Sequence, residues 1–177
     1  MWCIAITGPP GSGKSTLAKR LADFLKEKGL KVCGITCPDV RVKGRRIGFK
    51  VIDLVSGEEA WLARVDCEGA RVGRYRLCEG AEELAKRALS REDCDVYLID
   101  EIGPMELKQK GFREAMLKVI KSGKPFIAVY HVRLSDEEFL STLKRCFNIY
   151  LTKDEREIAY EKALRYLESV LNEGKER

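Results

Sequence analysis

The chain has 177 residues and 45% hydrophobic content, enough for one domain (1–177) with a sizeable core, which excludes a disordered chain. Lys and Arg number 33 against 28 Asp and Glu, so a charged fraction of 34% leaves a net charge of only +5. That balance suits the ion-pair networks of a thermophile protein, and a pI of about 8.8 stays below the range that marks a nucleic-acid binder. No run approaches the roughly 18 apolar residues of a membrane helix, and no basic, apolar leader opens the chain. The expectation is a cytoplasmic protein with no membrane or nucleic-acid partner.

Trp2 to Thr7 reads as a buried first strand, and Gly8-Pro9-Pro10-Gly11-Ser12-Gly13-Lys14-Ser15-Thr16 follows it directly. Leu17, Leu21, Phe24 and Leu25 then recur at helical spacing as far as Gly29, a natural stop. Lys31 to Thr36 is the second strand. From about 38 to 77 the rhythm breaks: Arg45 to Leu54 and Glu59 to Val65 are β-like runs joined at Val55-Ser56-Gly57-Glu58, which predicts an inserted antiparallel β-hairpin. Arg74 to Leu77 adds a third strand. Asp95 to Ile99, Pro125 to Tyr130 and Phe147 to Leu151 are further strands, with helical patterns over Met105 to Lys121, Asp136 to Lys144 and Asp154 to Asn172, and a frayed tail from Glu173 to Arg177. Alternating strands and helices specify a mainly parallel sheet covered on both faces, a three-layer α/β fold. The seven cysteines show no C-x-x-C pair, and Cys33 and Cys37, the closest two, straddle the end of a strand. They read as small core hydrophobes, with a structural disulfide open to a hyperthermophile source.

Gly8, Gly13, Lys14 and Ser15 satisfy G-x-x-x-x-G-K-[ST] between a strand and a helix, the phosphate-binding loop (Walker A) of P-loop proteins. Amides of Gly11 to Ser15 would surround a phosphate at a helix N-terminus. Lys14 would neutralise β- and γ-oxygens, and the Ser15 hydroxyl would ligate Mg²⁺. A carboxylate at the end of a neighbouring strand completes such a site. Asp95-Val96-Tyr97-Leu98-Ile99-Asp100-Glu101 supplies Asp100 as the Walker B acid on the metal, and Glu101 as the base that would orient and deprotonate water. His131, the only histidine, follows the next strand, where it could sense the γ-phosphate. Arg113, Arg133 and Arg156 are candidates for transition-state charge, and spacing does not choose among them.

Asp100-Glu101-Ile102-Gly103-Pro104-Met105-Glu106-Leu107 with Phe112 downstream resembles the signature of the thermophilic nucleoside-triphosphatase family, whose human member is called cancer-related nucleoside-triphosphatase. Arg46-Ile47-Gly48-Phe49, Leu62-Ala63-Arg64, Val72-Gly73-Arg74-Tyr75 and Thr152-Lys153-Asp154-Glu155-Arg156 extend the likeness along nearly the whole chain. The resemblance implies a P-loop NTPase of RecA-like type. It also implies Mg²⁺-dependent hydrolysis of ATP, GTP, CTP and UTP with little base preference, and Arg156 among the nucleotide-binding residues. Asp154-Glu155 stands where the family has Glu-Asn, so the base or ribose contact in that loop is expected to differ.

A nucleotide or nucleoside kinase is the alternative, because such kinases also combine a P-loop with an insertion after the second strand. Their acceptor domains are helical, whereas this insertion reads as β. A guanine-specific switch would need N-K-x-D, and Thr152-Lys153-Asp154-Glu155 lacks it. Nothing in the sequence identifies a protein partner.

Overall fold

The computed structural model describes residues 1–176, so Arg177 of the expected tail lies outside it. In chain order the strands are β1 (Cys3–Thr7), β2 (Val32–Thr36), β3 (Asp39–Val42), β4 (Arg45–Asp53), β5 (Glu59–Arg64), β6 (Arg71–Val72), β7 (Tyr75–Leu77), β8 (Val96–Ile102), β9 (Phe126–Tyr130) and β10 (Phe147–Tyr150). The helices are α1 (Lys14–Glu27), α2 (Ala81–Leu89), α3 (Pro104–Leu107), α4 (Lys110–Lys121), α5 (Glu137–Leu143) and α6 (Arg156–Glu176).

One sheet holds every strand in the order β10-β1-β9-β8-β2-β4-β5-β7-β6, with β3 on β4. The first five are parallel, as strands rich in Val and Ile with helical crossovers must be. Ile4 and Ile6 of β1, Val96 and Leu98 of β8 and Val129 of β9 face α1 and α6, sharing a core with Leu17, Leu21, Leu25 and Ala163. The alternate residues Ala5, Tyr97, Ile99 and Ala128 face α2, α4 and α5, against Phe112, Met116 and Phe139. Strand alternation on this scale buries about 1.5–3 kcal/mol of transfer free energy for each large side chain. β9 therefore lies between the loop-bearing β1 and the acid-bearing β8.

Several expectations change here. The insertion is more than a hairpin: β4 pairs antiparallel with β2, so the segment continues the main sheet as an antiparallel edge. The expected helix from Met105 to Lys121 breaks at Gln109, whose extended backbone separates α3 from α4. Helix α2 has no counterpart in the sequence reading, although Ala81, Leu84, Ala85, Ala88 and Leu89 recur at helical spacing and all pack into the core. The last helix runs past Asn172 as far as Glu176.

The cysteines are the largest correction. Six of the seven are paired as Cys3–Cys146, Cys33–Cys94 and Cys67–Cys78, with Cα separations of 4.8, 5.9 and 5.3 Å. Cys37 is the free one. The first two pairs connect β1 to the residue before β10 and β2 to a residue ahead of β8, which are neighbouring strands 143 and 61 positions apart in sequence. Buried Asp53 fixes the turn of the insertion: its carboxylate accepts from the Val55 amide at 2.9 Å and from Arg91 at 2.6 Å.

Candidate active site

The loop after β1 owes its path to two glycines. Gly13 has a φ of +100°, and a Cβ there would stand 2.9 Å from Nε of Arg156. A Cβ on Gly8 would meet the Leu151 carbonyl oxygen at 2.3 Å, so the loop can lie this close to the end of β10 only without a side chain. Lys14 and Ser15 open α1, with the amides of the first turn unpaired inside the helix, as at any helix N-terminus. Lys14 Nζ donates to the Gly8 carbonyl at 2.7 Å and so bridges the loop mouth. The Ser12 hydroxyl is buried with no hydrogen-bond partner among the described residues. Pro9, Pro10, Gly11 and Thr16 form the exposed rim.

Arg156 lies on the outer side of this loop. Its Nε donates to the Ser12 carbonyl at 2.8 Å and an Nη to the Gly11 carbonyl at 3.0 Å. The Ser12 amide donates to the Pro9 carbonyl at 3.2 Å, so the loop backbone ahead of the α1 amides is fixed from both sides. Arg156 is thus committed to the loop backbone, and its neighbours Lys153–Glu155 form a single 3₁₀ turn.

Asp100 and Glu101 sit at the end of β8, one strand away from β1. Asp100 is buried, and burial pushes its carboxyl up to about 6; hydrogen bonding from the Ser15 hydroxyl opposes the rise, Glu101 adds to it, and the Lys14 charge opposes it. Glu101 is half-buried and also raised by burial, with Lys14 again opposing. Lys14, Ser15, Asp100 and Glu101, predicted from two separate segments, meet in one place. His131 at the end of β9 is half-buried, and burial followed by the Lys14 charge lowers its basicity. Its Nδ1 accepts the Arg133 amide at 3.1 Å, the arrangement of a neutral ring.

Two acid-site residues had no role in the sequence reading. Glu106 is only 4% exposed and its carboxyl is pushed up to about 8, first by burial and then by the Glu101 charge. It shares with Glu101 the space beside Gly103, where an added Cβ would meet Glu106 Oε1 at 3.0 Å and Glu101 Oε1 at 3.4 Å. Half-buried Cys37, past the end of β2, has its thiol raised by burial and by the charges of Glu106, Asp100 and Glu101. An acidic residue six positions beyond the Walker B acid, just after Gly103-Pro104, was the available signal for Glu106.

Of the arginines left open by spacing, Arg113 is tied to Asp136 by bonds of 2.9 and 3.0 Å and to Glu138 at 3.1 Å. Arg156 holds the loop. Arg133 is exposed, with no acidic partner among the described residues. The segments quoted for the resemblance also converge. Phe49 meets Tyr75 edge-on at 5.3 Å, Arg74 donates to the Arg46 carbonyl at 3.1 Å, and Met105 packs against this cluster, joining the insertion to the turn after Asp100.

A family model described as NTPase matches residues 3–164. The nucleoside-triphosphatase THEP1 of Ignicoccus hospitalis is 66% identical over 169 residues, 96% of this chain and 98% of that protein. The THEP1 protein of Methanothermobacter thermautotrophicus is 49% identical over 133 residues, 72% of this chain and 75% of its own. Among solved structures, THEP1 from the hyperthermophile Aquifex aeolicus superposes with a TM-score of 0.78 at 29% identity, covering 94% of this chain and 99% of its own. A human cancer-related nucleoside triphosphatase gives 0.79 at 32%, with 96% and 98% covered. The fold is therefore that of the P-loop NTPases, and the chain belongs to the THEP1 nucleoside-triphosphatase family.

Proposed function

We propose that this chain, acting as one domain, hydrolyses ATP, GTP, CTP and UTP to the diphosphate and phosphate in a Mg²⁺-dependent reaction with little base preference. The observation that carries the reading is the meeting of Lys14 and Ser15 with Asp100 and Glu101 across β9. The partnerless Ser12 hydroxyl and the unpaired amides of Gly13 to Ser15 suit the phosphate chain.

The donor set fits magnesium. Ser15 and Asp100 offer hard oxygens, and Asp100 is a buried carboxyl with no ion-pair partner among the described residues. When bound, Mg²⁺ would offset charge on the phosphate oxygens and hold Asp100 ionised. Lys14 leaves the Gly8 carbonyl for the β- and γ-phosphates, a change of side-chain rotamers alone. Glu101 holds water in line with the γ-phosphorus and takes its proton, its raised affinity for a proton matching that task. Lys14 and the loop amides then meet charge moving onto the leaving oxygen.

Weak base preference is supported by the groove on the far side of α1. It is about 190 Å³, lined by Thr16, Leu17, Arg20, Leu151, Arg156 and Glu157. Arg20 is already engaged by Glu157 at 2.9 Å and stacks on Tyr160 at 3.6 Å. With Arg20 on Glu157 and Arg156 on the loop carbonyls, the charged groups of the groove are engaged within the chain rather than set out as a base-specific pair.

The test is phosphate release from each of the four triphosphates, with Mg²⁺ or with chelator, at room temperature and hot. Release from all four, lost with chelator and in Lys14→Ala, is expected. Release from GTP alone would overturn the broad specificity, and none from any would overturn hydrolysis.

A further inference from the structure

A cleft at the carboxyl ends of the strands lies on the side of the reacting groups away from the nucleoside groove. It measures about 560 Å³, between Gly103, Leu107 and Lys108 on one wall and His131, Arg133 and Leu134 on the other. Open α/β sheets bind ligands at this end, and the size suits a small molecule. Both walls touch the reaction centre. Gly103 abuts the Glu101 carboxylate, and His131 feels the Lys14 charge.

The lining is apolar at Leu107 and Leu134 and basic at its edges. Among the described residues Arg133 is exposed with no acidic partner, and Lys108 Nζ donates to the Arg71 carbonyl at 3.1 Å and makes no ion pair. Asp136, the one acid at the rim, is consumed by its two bonds to Arg113. An imidazole whose Nδ1 is an acceptor presents Nε2–H as a further donor. A cleft with an apolar floor and two unspent cations selects against both neutral polar molecules and cations.

We propose that this cleft is a second ligand site, for a small organic anion: a phosphate or carboxylate carried on an apolar body. Arg133 and Lys108 take the anionic group, and Leu107 and Leu134 take the body. The assignment does not depend on the hydrolytic reading, because the site lies outside the phosphate loop.

Phenyl phosphate, benzoate and inorganic phosphate are titrated calorimetrically into the full chain, alone and with magnesium ADP present. Saturable binding of at least one aryl anion, undiminished by ADP, is expected. Arg133→Ala should weaken it about tenfold or more, the loss of a charge-assisted contact, and Leu134→Glu should abolish it, while both variants keep wild-type ADP affinity as proof of folding. Preference between phenyl phosphate and benzoate names the anionic group. Binding by neither, inorganic phosphate as tight as phenyl phosphate, competition with ADP, or full affinity in both variants would each overturn the proposal.

Discussion

Glu106→Gln tests whether the acid site contains a carboxyl held neutral by burial. The carboxyl is raised from an ordinary 4.5 to about 8 in the folded chain. At pH values below 4.5 the folded and unfolded forms both carry the proton, so stability is insensitive to this group. Between 4.5 and about 8 the unfolded chain has lost the proton while the folded chain keeps it, so stability falls as pH rises. Above about 8 both are ionised and the loss is complete. At 1.36 kcal/mol per unit, the window amounts to about 5 kcal/mol. Glutamine is nearly the same shape and has nothing to ionise, so the variant should gain on wild type by about that amount between pH 4.5 and 9. Urea unfolding of nucleotide-free protein, followed by tryptophan fluorescence, measures the difference. Asp100 and Glu101 titrate in both proteins and largely cancel. Stability curves that run parallel across this range would refute a neutral Glu106.

Other outcomes follow from the same geometry. Glu101→Gln should retain triphosphate affinity and lose about 100-fold or more in kcat, the scale of a lost general base; a rate near wild type would remove Glu101 from the chemistry. Arg156→Ala should raise the Kd for magnesium ADP about 10- to 100-fold by freeing two loop carbonyls. Arg156→Lys should recover part of that affinity, and no change in either variant would separate Arg156 from loop shape. Replacing Cys3 and Cys146 together by Ala should cost about 4–5 kcal/mol from the long loop that the pair closes. That corresponds to roughly 10–20 °C in the unfolding midpoint, checked by calorimetry.

What the sequence disclosed was local. The loop pattern, the strand that ends in Asp100-Glu101 and the alternation of strands and helices each depend on residues within a few positions of one another. Sheet order does not, and the hidden features depend on it. Cys3 and Cys146 pair because β10 lies beside β1, and Cys33 and Cys94 because β8 lies beside β2. Arg156 reaches Ser12 across 144 positions for the same reason. The letters of its motif announced a functional arginine without saying that its target was the loop backbone. Glu106 was visible as a letter but not as a buried acid, since only the fold sets it against Glu101.

The three disulfides are nested: 67–78 lies inside 33–94, which lies inside 3–146. Most of the chain is therefore a set of closed covalent circles, with β10 and α6 as a free end. A single protease cut anywhere between Cys3 and Cys146, such as after exposed Lys43 in the β3–β4 turn, would open a circle and release no fragment. Under oxidising conditions a nicked molecule would stay one covalent unit, heavier only by the water added at the cut, and reduction would separate its pieces.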